Sequence, residues 1–292
     1  MRRFLLFCTL IFCNGIFCDA GEIIFCGNDK VLIIDEKTSD GENINVVWSW
    51  RASEALPQLP EKYQKYLNGI DDCKPVDGNT KILLTAGAAV LLLERETKKC
   101  LFYAHTPNAH SAEWLPDHKI AVALSVHPNG DRLEIYDVRQ PEKVLLQNEL
   151  RGGHGVVWIP ERKRLYALGY DGLFEYSLKN WDTASPKLIF ENKWQPPITL
   201  GHDLSRVSPN RLLLSGHKSV CSFDIDQKKF TPFEPLKSTP DVKSVNYFEK
   251  TDKLIYTKGE NGEWWTHNIY FVNPGKKLTI PAMNIYKVRV IE

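Results

Sequence analysis

Between Gly152 and Leu178 the chain reads GGHGVVWIPERKRLYALGYDGLFEYSL, three short apolar runs punctuated by turns. Gly155–Trp158 is apolar, Pro160–Arg162 turns, Arg164–Tyr170 returns, and LFEYSL alternates apolar and polar residues as a strand with two different faces does. Asp171-Gly172 between the last two runs predicts a two-residue hairpin, because both central positions of such a turn take positive φ. KLIFENK (Lys187–Lys193) supplies a fourth run after a looser loop. Four antiparallel strands of this kind make one blade of a propeller, and the pattern recurs along the chain at roughly forty-residue spacing.

The recurrence gives five blades within the chain and one from its two ends. Blade two begins at Asp72 and continues through TKILLTAG, AAVLLLERE and KKCLFYA. Blade three is AHSAEWLPD, KIAVALS, DRLEIYDV and KVLLQNEL, and blade four is the stretch already described. GHDLSRVSP, RLLLSGH, KSVCSFDI and KFTPFEPL form blade five; DVKSVNYFEK, DKLIYTKG, EWWTHNIYFV and KKLTIPA form blade six. EIIFCG, KVLIID and NINVVWSW align with the three outer strands, and the C-terminal NIYKVRVIE with the innermost. Joined, they make blade one and remove the sheet edges that an open ring would expose. The expected fold is an all-β, six-bladed propeller over residues 21–292 whose closing blade is shared between both ends. The 51–71 segment lacks strand patterning and carries a helical turn around Glu61–Leu67. It is either a lid over the channel mouth that offers Tyr63 and Tyr66 to a ligand, or a surface loop packed on blade edges.

Composition adds a compartment and removes a partner class. Arg2 and Arg3 precede the apolar Phe4–Phe17, and Cys18-Asp19-Ala20 fits a cleavage site, so residues 1–20 read as a signal peptide. The processed chain is then expected in the periplasm or outside the cell, off the membrane and as a monomer. It carries 35 basic and 35 acidic residues, a balance that argues against a nucleic-acid-coating surface. Cys26, Cys73, Cys100 and Cys221 have no C-x-x-C pairing and read as free thiols.

Aligning the six blades places Lys74, His110, His154, His202, Lys243 and Lys287 at one position, separated by 36, 44, 48, 41 and 44 residues. The innermost strand of each blade starts at the channel mouth, so repetition would gather six distant residues into one ring. Asp203, next to His202, is placed to fix an imidazole tautomer, and Arg289 shares a strand face with Lys287. Gly153, Gly155 and Gly201 would permit close backbone approach.

Such a ring supports several chemistries. Positive charge in a low-dielectric funnel would attract a carboxylate sugar or a phosphate. His110, His154 and His202 could hold a divalent metal, the one cofactor this sequence suggests, although the lysines oppose a second cation. One of the same three histidines could act as the base in β-elimination from a uronate, with a lysine on the carboxylate. The side chains could also simply satisfy strand ends. His127 and His217, in turns of the same face, would extend the rim. Trp114 and Trp158 recur four residues after ring histidines and read as packing between blades, and Trp264 and Trp265 as core and blade face. A protein-binding scaffold would need an apolar rim on that face.

The segments DDCKPVDGNTKILLTAG, AHSAEWLP, GGHGVVW, GHDL, VKS and YKVRV resemble, in this order over nearly the whole processed chain, an uncharacterised family of secreted bacterial six-bladed propellers. The resemblance implies the fold and export from a bacterial cell, and carries no activity. The His-lined mouth is similar in kind to propeller enzymes that cleave uronate-containing glycans. The expectation is therefore a propeller that binds a small anionic ligand, an acidic carbohydrate, through Lys74, His110, His154, His202, Asp203, Lys243, Lys287 and Arg289. A lyase or hydrolase using His110, His154 or His202, and a protein scaffold, are the alternatives.

Overall fold

The computed structural model describes residues 21–183 and 185–291, so the expected signal peptide lies outside the described residues. Six four-stranded antiparallel sheets are arranged as a six-bladed propeller. Blade one consists of β24 (Ile285–Val290), β1 (Glu22–Gly27), β2 (Lys30–Asp35) and β3 (Val46–Arg51), in that order from the axis outward. Blade two is β4 (Ile70–Val76), β5 (Lys81–Ala86), β6 (Ala89–Glu94) and β7 (Cys100–His105). Blade three is β8 (Ala109–Leu115), β9 (Lys119–Leu124), β10 (Arg132–Asp137) and β11 (Val144–Glu149). Blade four is β12 (Gly155–Ile159), β13 (Arg164–Gly169), β14 (Gly172–Lys179) and β15 (Lys187–Trp194). Blades five and six are β16 (Asp203–Ser208), β17 (Arg211–Ser215), β18 (Val220–Asp224), β19 (Lys229–Pro232) and β20 (Val242–Phe248), β21 (Lys253–Lys258), β22 (Asn268–Val272), β23 (Lys276–Thr279). The C-terminal strand thus closes the ring against the N-terminal strand, as the sequence pattern implies.

The core lies between blades. Leu115, Ala121, Leu133 and Ile135 of blade three meet Val156, Leu165, Ala167 and Tyr176 of blade four in one buried cluster, and the other interfaces repeat this arrangement. Both faces of the inner strands are therefore apolar, which is why β6 and β9 read as unbroken hydrophobic runs. Each fully buried Leu, Ile or Val contributes about 1.5–3 kcal/mol. Close packing also explains Gly155, where a Cβ would lie 2.5 Å from that of Leu204 in the next blade. The approach serves blade packing. The four described cysteines are free, Cys100 being the least buried.

Two local expectations change. Gly169 pairs with Gly172, so the β13–β14 turn is centred on Tyr170–Asp171, and Gly172 (φ 149°) is already strand. Pairing Leu168 with Leu173 keeps both leucines buried, and the shift lifts Tyr170 onto the rim. The 51–71 segment is no lid. It forms a short helix α1 (Ala52–Ala55) and two 3-10 turns. Tyr63 is fully buried against Tyr66 and Tyr103, its hydroxyl donating to Glu142 Oε1 at 3.1 Å.

The axis is held by two cations of β24. Arg289 Nε and Nη2 donate to the two carboxylate oxygens of Asp72 on β4, at 2.9 and 3.0 Å. Its Nη1 and Nη2 reach both oxygens of Asp203 on β16, at 2.8 and 2.7 Å. Lys287 donates to the carbonyls of His110 and His154, at 3.1 and 3.4 Å. Asp72 also accepts from Ser111 Oγ, and Asp203 from the backbone of Val245. All six blades are thereby tied to one buried, charge-balanced cluster. Removing one member leaves buried charge unpaired, at a cost of about 3–5 kcal/mol. Arg289→Met is therefore expected to lower stability by about that amount in urea unfolding. Arg289→Lys should recover little of it, since an ammonium cannot span two carboxylates bidentately; a loss under about 1 kcal/mol in the Met variant would contradict this account.

Candidate functional site

The first residues of the inner strands do converge at the channel mouth, but in a different register from the one that basic residues suggest. Asp71, His110, Lys243 and Tyr286 are extra residues in β-bulges, each lying between two residues that pair with neighbours on the adjacent strand. His154 and His202 occupy the same place: their amides bond the carbonyls of Leu168 and Ser215, which lie opposite Gly155 and Asp203. A bulge re-aims a side chain away from the ladder. The structural ring is therefore Asp71, His110, His154, His202, Lys243 and Tyr286.

Lys74 and Lys287 do not belong to this level. Lys287 is one position further along its strand and fully buried in the axial cluster, with Asp203 Oδ1 at 3.3 Å. Lys74 lies three positions beyond Asp71 and donates to Glu113 Oε2 (2.9 Å) and the Val156 carbonyl (2.7 Å). Arg289 and Asp203 are engaged with each other, so Asp203 orients the arginine and no imidazole. The concentrated positive field expected from six basic residues is absent, because these cations are neutralised below the mouth.

The structure does bring the three histidines together. The rings of His110 and His154 stack at 4.4 Å between centroids, and His202 meets His154 edge-on at 5.9 Å. Fixed partners set each tautomer. Asn108 donates its amide to the Val126 carbonyl, so its Oδ1 accepts from His110 Nε2 (3.1 Å), leaving Nδ1 toward the Tyr286 hydroxyl at 3.4 Å. His154 Nδ1 donates to the Gly152 carbonyl at 2.9 Å, which leaves a bare lone pair on Nε2. Lys243 Nζ donates to His202 Nε2 at 3.1 Å, so the His202 proton sits on Nδ1, a buried atom with no protein partner. The stacked rings aim their nitrogens at different partners, so His110, His154 and His202 do not form a convergent metal set.

Burial dominates the electrostatics. It pushes the Asp71 carboxyl up to about 8, with nearby Asp72 adding to the rise and Lys287 opposing it. It holds the imidazoles below their ordinary range, His154 down to about 4, with Lys287 and Lys243 reinforcing the effect against the Gly152 hydrogen bond. His110 and His202 are lowered for the same reason, and so is Lys243, against the pull of Asp241. Burial would also raise Asp72 and Asp203, but Arg289 and Lys287 beside them win and hold both low. At neutral pH the Asp71 carboxyl and the three imidazoles of the ring are uncharged donors and acceptors.

Rim residues complete the mouth. His217 contacts His202, Nδ1 to Nε2 at 3.1 Å, and Asp241 Oδ1 at 3.0 Å; His127 accepts from the Asn129 amide in its own turn. Trp264 precedes β22 and lies on no strand; it is 55% exposed and meets Tyr286 edge-on at 5.3 Å. Trp114 and Trp158 pack against blade interfaces. Asp71, Tyr286 and Asp241 carry no basic signal and escape an alignment by charge. A spacing would have found the first two: Ile70–Cys73, Ala109–Ala112, Val242–Val245 and Ile285–Val288 are buried pairs three apart that bracket each bulge, with Gly153–Val156 and Gly201–Leu204 equivalent.

The raised and lowered groups act on stability with opposite signs. Asp71, raised on folding, contributes stability that is full at low pH and lost as pH climbs from about 4 through about 8. His154, lowered on folding, contributes stability present above its ordinary value near 6.5 and lost as pH falls through about 4. Asp71→Asn is accordingly expected to gain stability relative to the parent as pH rises from about 4 to about 8, and His154→Gln to lose less than the parent between pH 6.5 and pH 4. Urea midpoints across that range measure both, and parallel pH profiles would contradict them.

The fold is shared with structurally characterised propellers. A chain in the crystal structure of a nidogen/laminin complex superposes with a TM-score of 0.60 at 13% identity, over 91% of this chain and 97% of that one. A chain of a mitotic checkpoint complex superposes with a TM-score of 0.56 at 10% identity, over 85% and 71%. Identities this low carry the fold alone. No curated protein matches the sequence. Residues 27–291 match DUF6528, a family of unknown function, and the chain belongs to that family.

Proposed function

We propose that the channel mouth binds a small hydroxylated ligand, a sugar unit, seated on the ring. The reading is carried by His202 Nδ1, a buried donor without a protein partner, and by His154 Nε2, left as an acceptor by the Nδ1 bond to Gly152, on rings whose centroids are 5.9 Å apart. A hydroxyl donates and accepts at once and answers both. The ligand would lie over the stacked imidazoles of His110 and His154, on the side where Tyr286 meets the exposed indole of Trp264, which offers an apolar face. Charge balance below the ring shifts the preference from the acidic carbohydrate expected from sequence toward a neutral one. Lys243 remains the cation nearest a sugar carboxylate, and it already faces Asp241.

A second reading rests on Asp71 and His154. One ring holds a carboxyl pushed up to about 8 and an imidazole held down to about 4. Such a pair supplies a protonated acid and an unprotonated base at neutral pH, the division that hydrolysis or β-elimination of a glycan requires. In this reading His154, with its free Nε2, is favoured over His110 and His202 as base.

Calorimetric titration of neutral and uronate oligosaccharides into the parent, Trp264→Ala and Lys243→Met tests the binding reading. A saturating neutral sugar should bind the parent, and at a hundredfold excess over Kd raise its stability by about 2.7 kcal/mol. Trp264→Ala should bind about tenfold more weakly, a change of about 1.4 kcal/mol. Preference for uronates lost in Lys243→Met would return the reading to an anionic ligand; no binding by any sugar would overturn it. Product analysis of the same mixtures decides the second reading.

A further inference from the structure

The corner of the mouth between blades five and six contains an arrangement on the other nitrogen of His202 from the one the sugar reading uses. His202 immediately precedes β16, His217 lies on the turn between β17 and β18, and Asp241 on the connection entering β20. Their backbones are fastened together: the Asp241 amide donates to the His217 carbonyl at 3.1 Å, the His217 amide to the Thr199 carbonyl at 2.8 Å, and the His202 amide to the Ser215 carbonyl at 2.8 Å. The side chains converge on one point. His202 Nε2 is 3.1 Å from His217 Nδ1, His217 Nδ1 is 3.0 Å from Asp241 Oδ1, and His202 Nε2 is 3.8 Å from Asp241 Oδ1. Among the described residues this is the one trio of potential ligands so grouped.

We propose that His202 Nε2, His217 Nδ1 and Asp241 Oδ1 form a three-ligand site for a tetrahedral divalent cation, with zinc as the best-matched ion. Metal–ligand bonds of about 2.0–2.1 Å place tetrahedral ligands about 3.4 Å apart, and the three separations straddle that value. Two imidazoles and one carboxylate are a donor set that zinc accepts. Lys243 Nζ, 3.1 Å from His202 Nε2 and 3.6 Å from Asp241 Oδ1, stands near the fourth vertex. Its ammonium supplies in the metal-free protein the positive charge that the cation would bring. Lysine and metal therefore compete: binding requires the ammonium to swing out. With the metal on Nε2, the proton of His202 stays on Nδ1, so the sugar-facing donor is unchanged.

The experiment uses the untagged protein, dialysed against zinc or cobalt(II) and assayed for bound metal and for visible cobalt absorption. One equivalent per chain with the intense spectrum of tetrahedral cobalt is expected. His217→Ala and Asp241→Asn should each weaken binding more than about hundredfold, beyond the 10–100-fold typical of outer-sphere changes. Both side chains are partly exposed, so the variants should melt like the parent. Lys243→Met should tighten binding about tenfold by removing the competing charge, a gain of about 1.4 kcal/mol. Less than one equivalent, an octahedral cobalt spectrum, or equal retention by both ligand variants would overturn the site. Weaker binding by Lys243→Met would overturn the competing role. None of these readouts involves a sugar, so failure here and failure of the sugar reading are separable.

Discussion

Two cations on the last strand, Lys287 and Arg289, are the constraint on which the rest of the molecule depends. The propeller ring brings the carboxylates of blades two and five and backbone carbonyls of blades three and four around one narrow axis, and something must neutralise them there. Arg289 spans Asp72 and Asp203 with four hydrogen bonds, while Lys287 reaches the carbonyls of His110 and His154. Ring closure by β24 and charge closure of the axis are therefore one event. Until the C-terminal strand docks, the carboxylates of Asp72 and Asp203 face a gap without counter-ions. Buried ion pairs add little net stability over apolar packing, but an incomplete one is costly. The cluster thus acts mainly by penalising any state in which the ring is open or a blade is displaced.

Above that floor, β-bulges decide the chemistry. In a regular strand the first inward residue of each blade would continue the ladder. In four blades an inserted residue, and in the other two the residue just before the strand, occupies the mouth instead, and the six blades contribute a carboxyl, three imidazoles, an amine and a phenol. Burial keeps four of them uncharged, raising Asp71 and lowering the three histidines, while the Lys243 ammonium is paired with Asp241. The charged residues sit in the axial layer, in near-perfect balance, and the uncharged ones line the surface that a ligand would meet. A polar mouth without net charge favours hydrogen bonding over ionic capture, which is the physical basis for preferring a hydroxylated ligand.

The corner at His202 shows how two readings can share one mouth. Nε2 of that imidazole faces Lys243, His217 and Asp241, while Nδ1 faces none of them. A cation on the first nitrogen and a hydroxyl on the second are compatible, because each demands the same tautomer. The side chain would then couple an ion site at the rim to a ligand on the ring.

The sequence by itself determined the architecture: alternating runs, their roughly forty-residue recurrence and the complementary chain ends lead to six blades closed by β24, all of which depend on local periodicity. It also brought out His110, His154, His202 and Lys243, because repetition converts matching positions into spatial neighbours. Tertiary structure alone decided the level of Lys74 and Lys287, since a shift of one or three residues along a strand is invisible to an alignment made on charge. The bulges that put Asp71 and Tyr286 in the ring depend on how two strands pair, and the buried pairs bracketing them are apolar spacings with no chemical label. Whether a cation is free or neutralised was likewise beyond the sequence, because Arg289 meets Asp203 across 86 residues and Asp72 across 217. Such pairings exist only once the ring has closed.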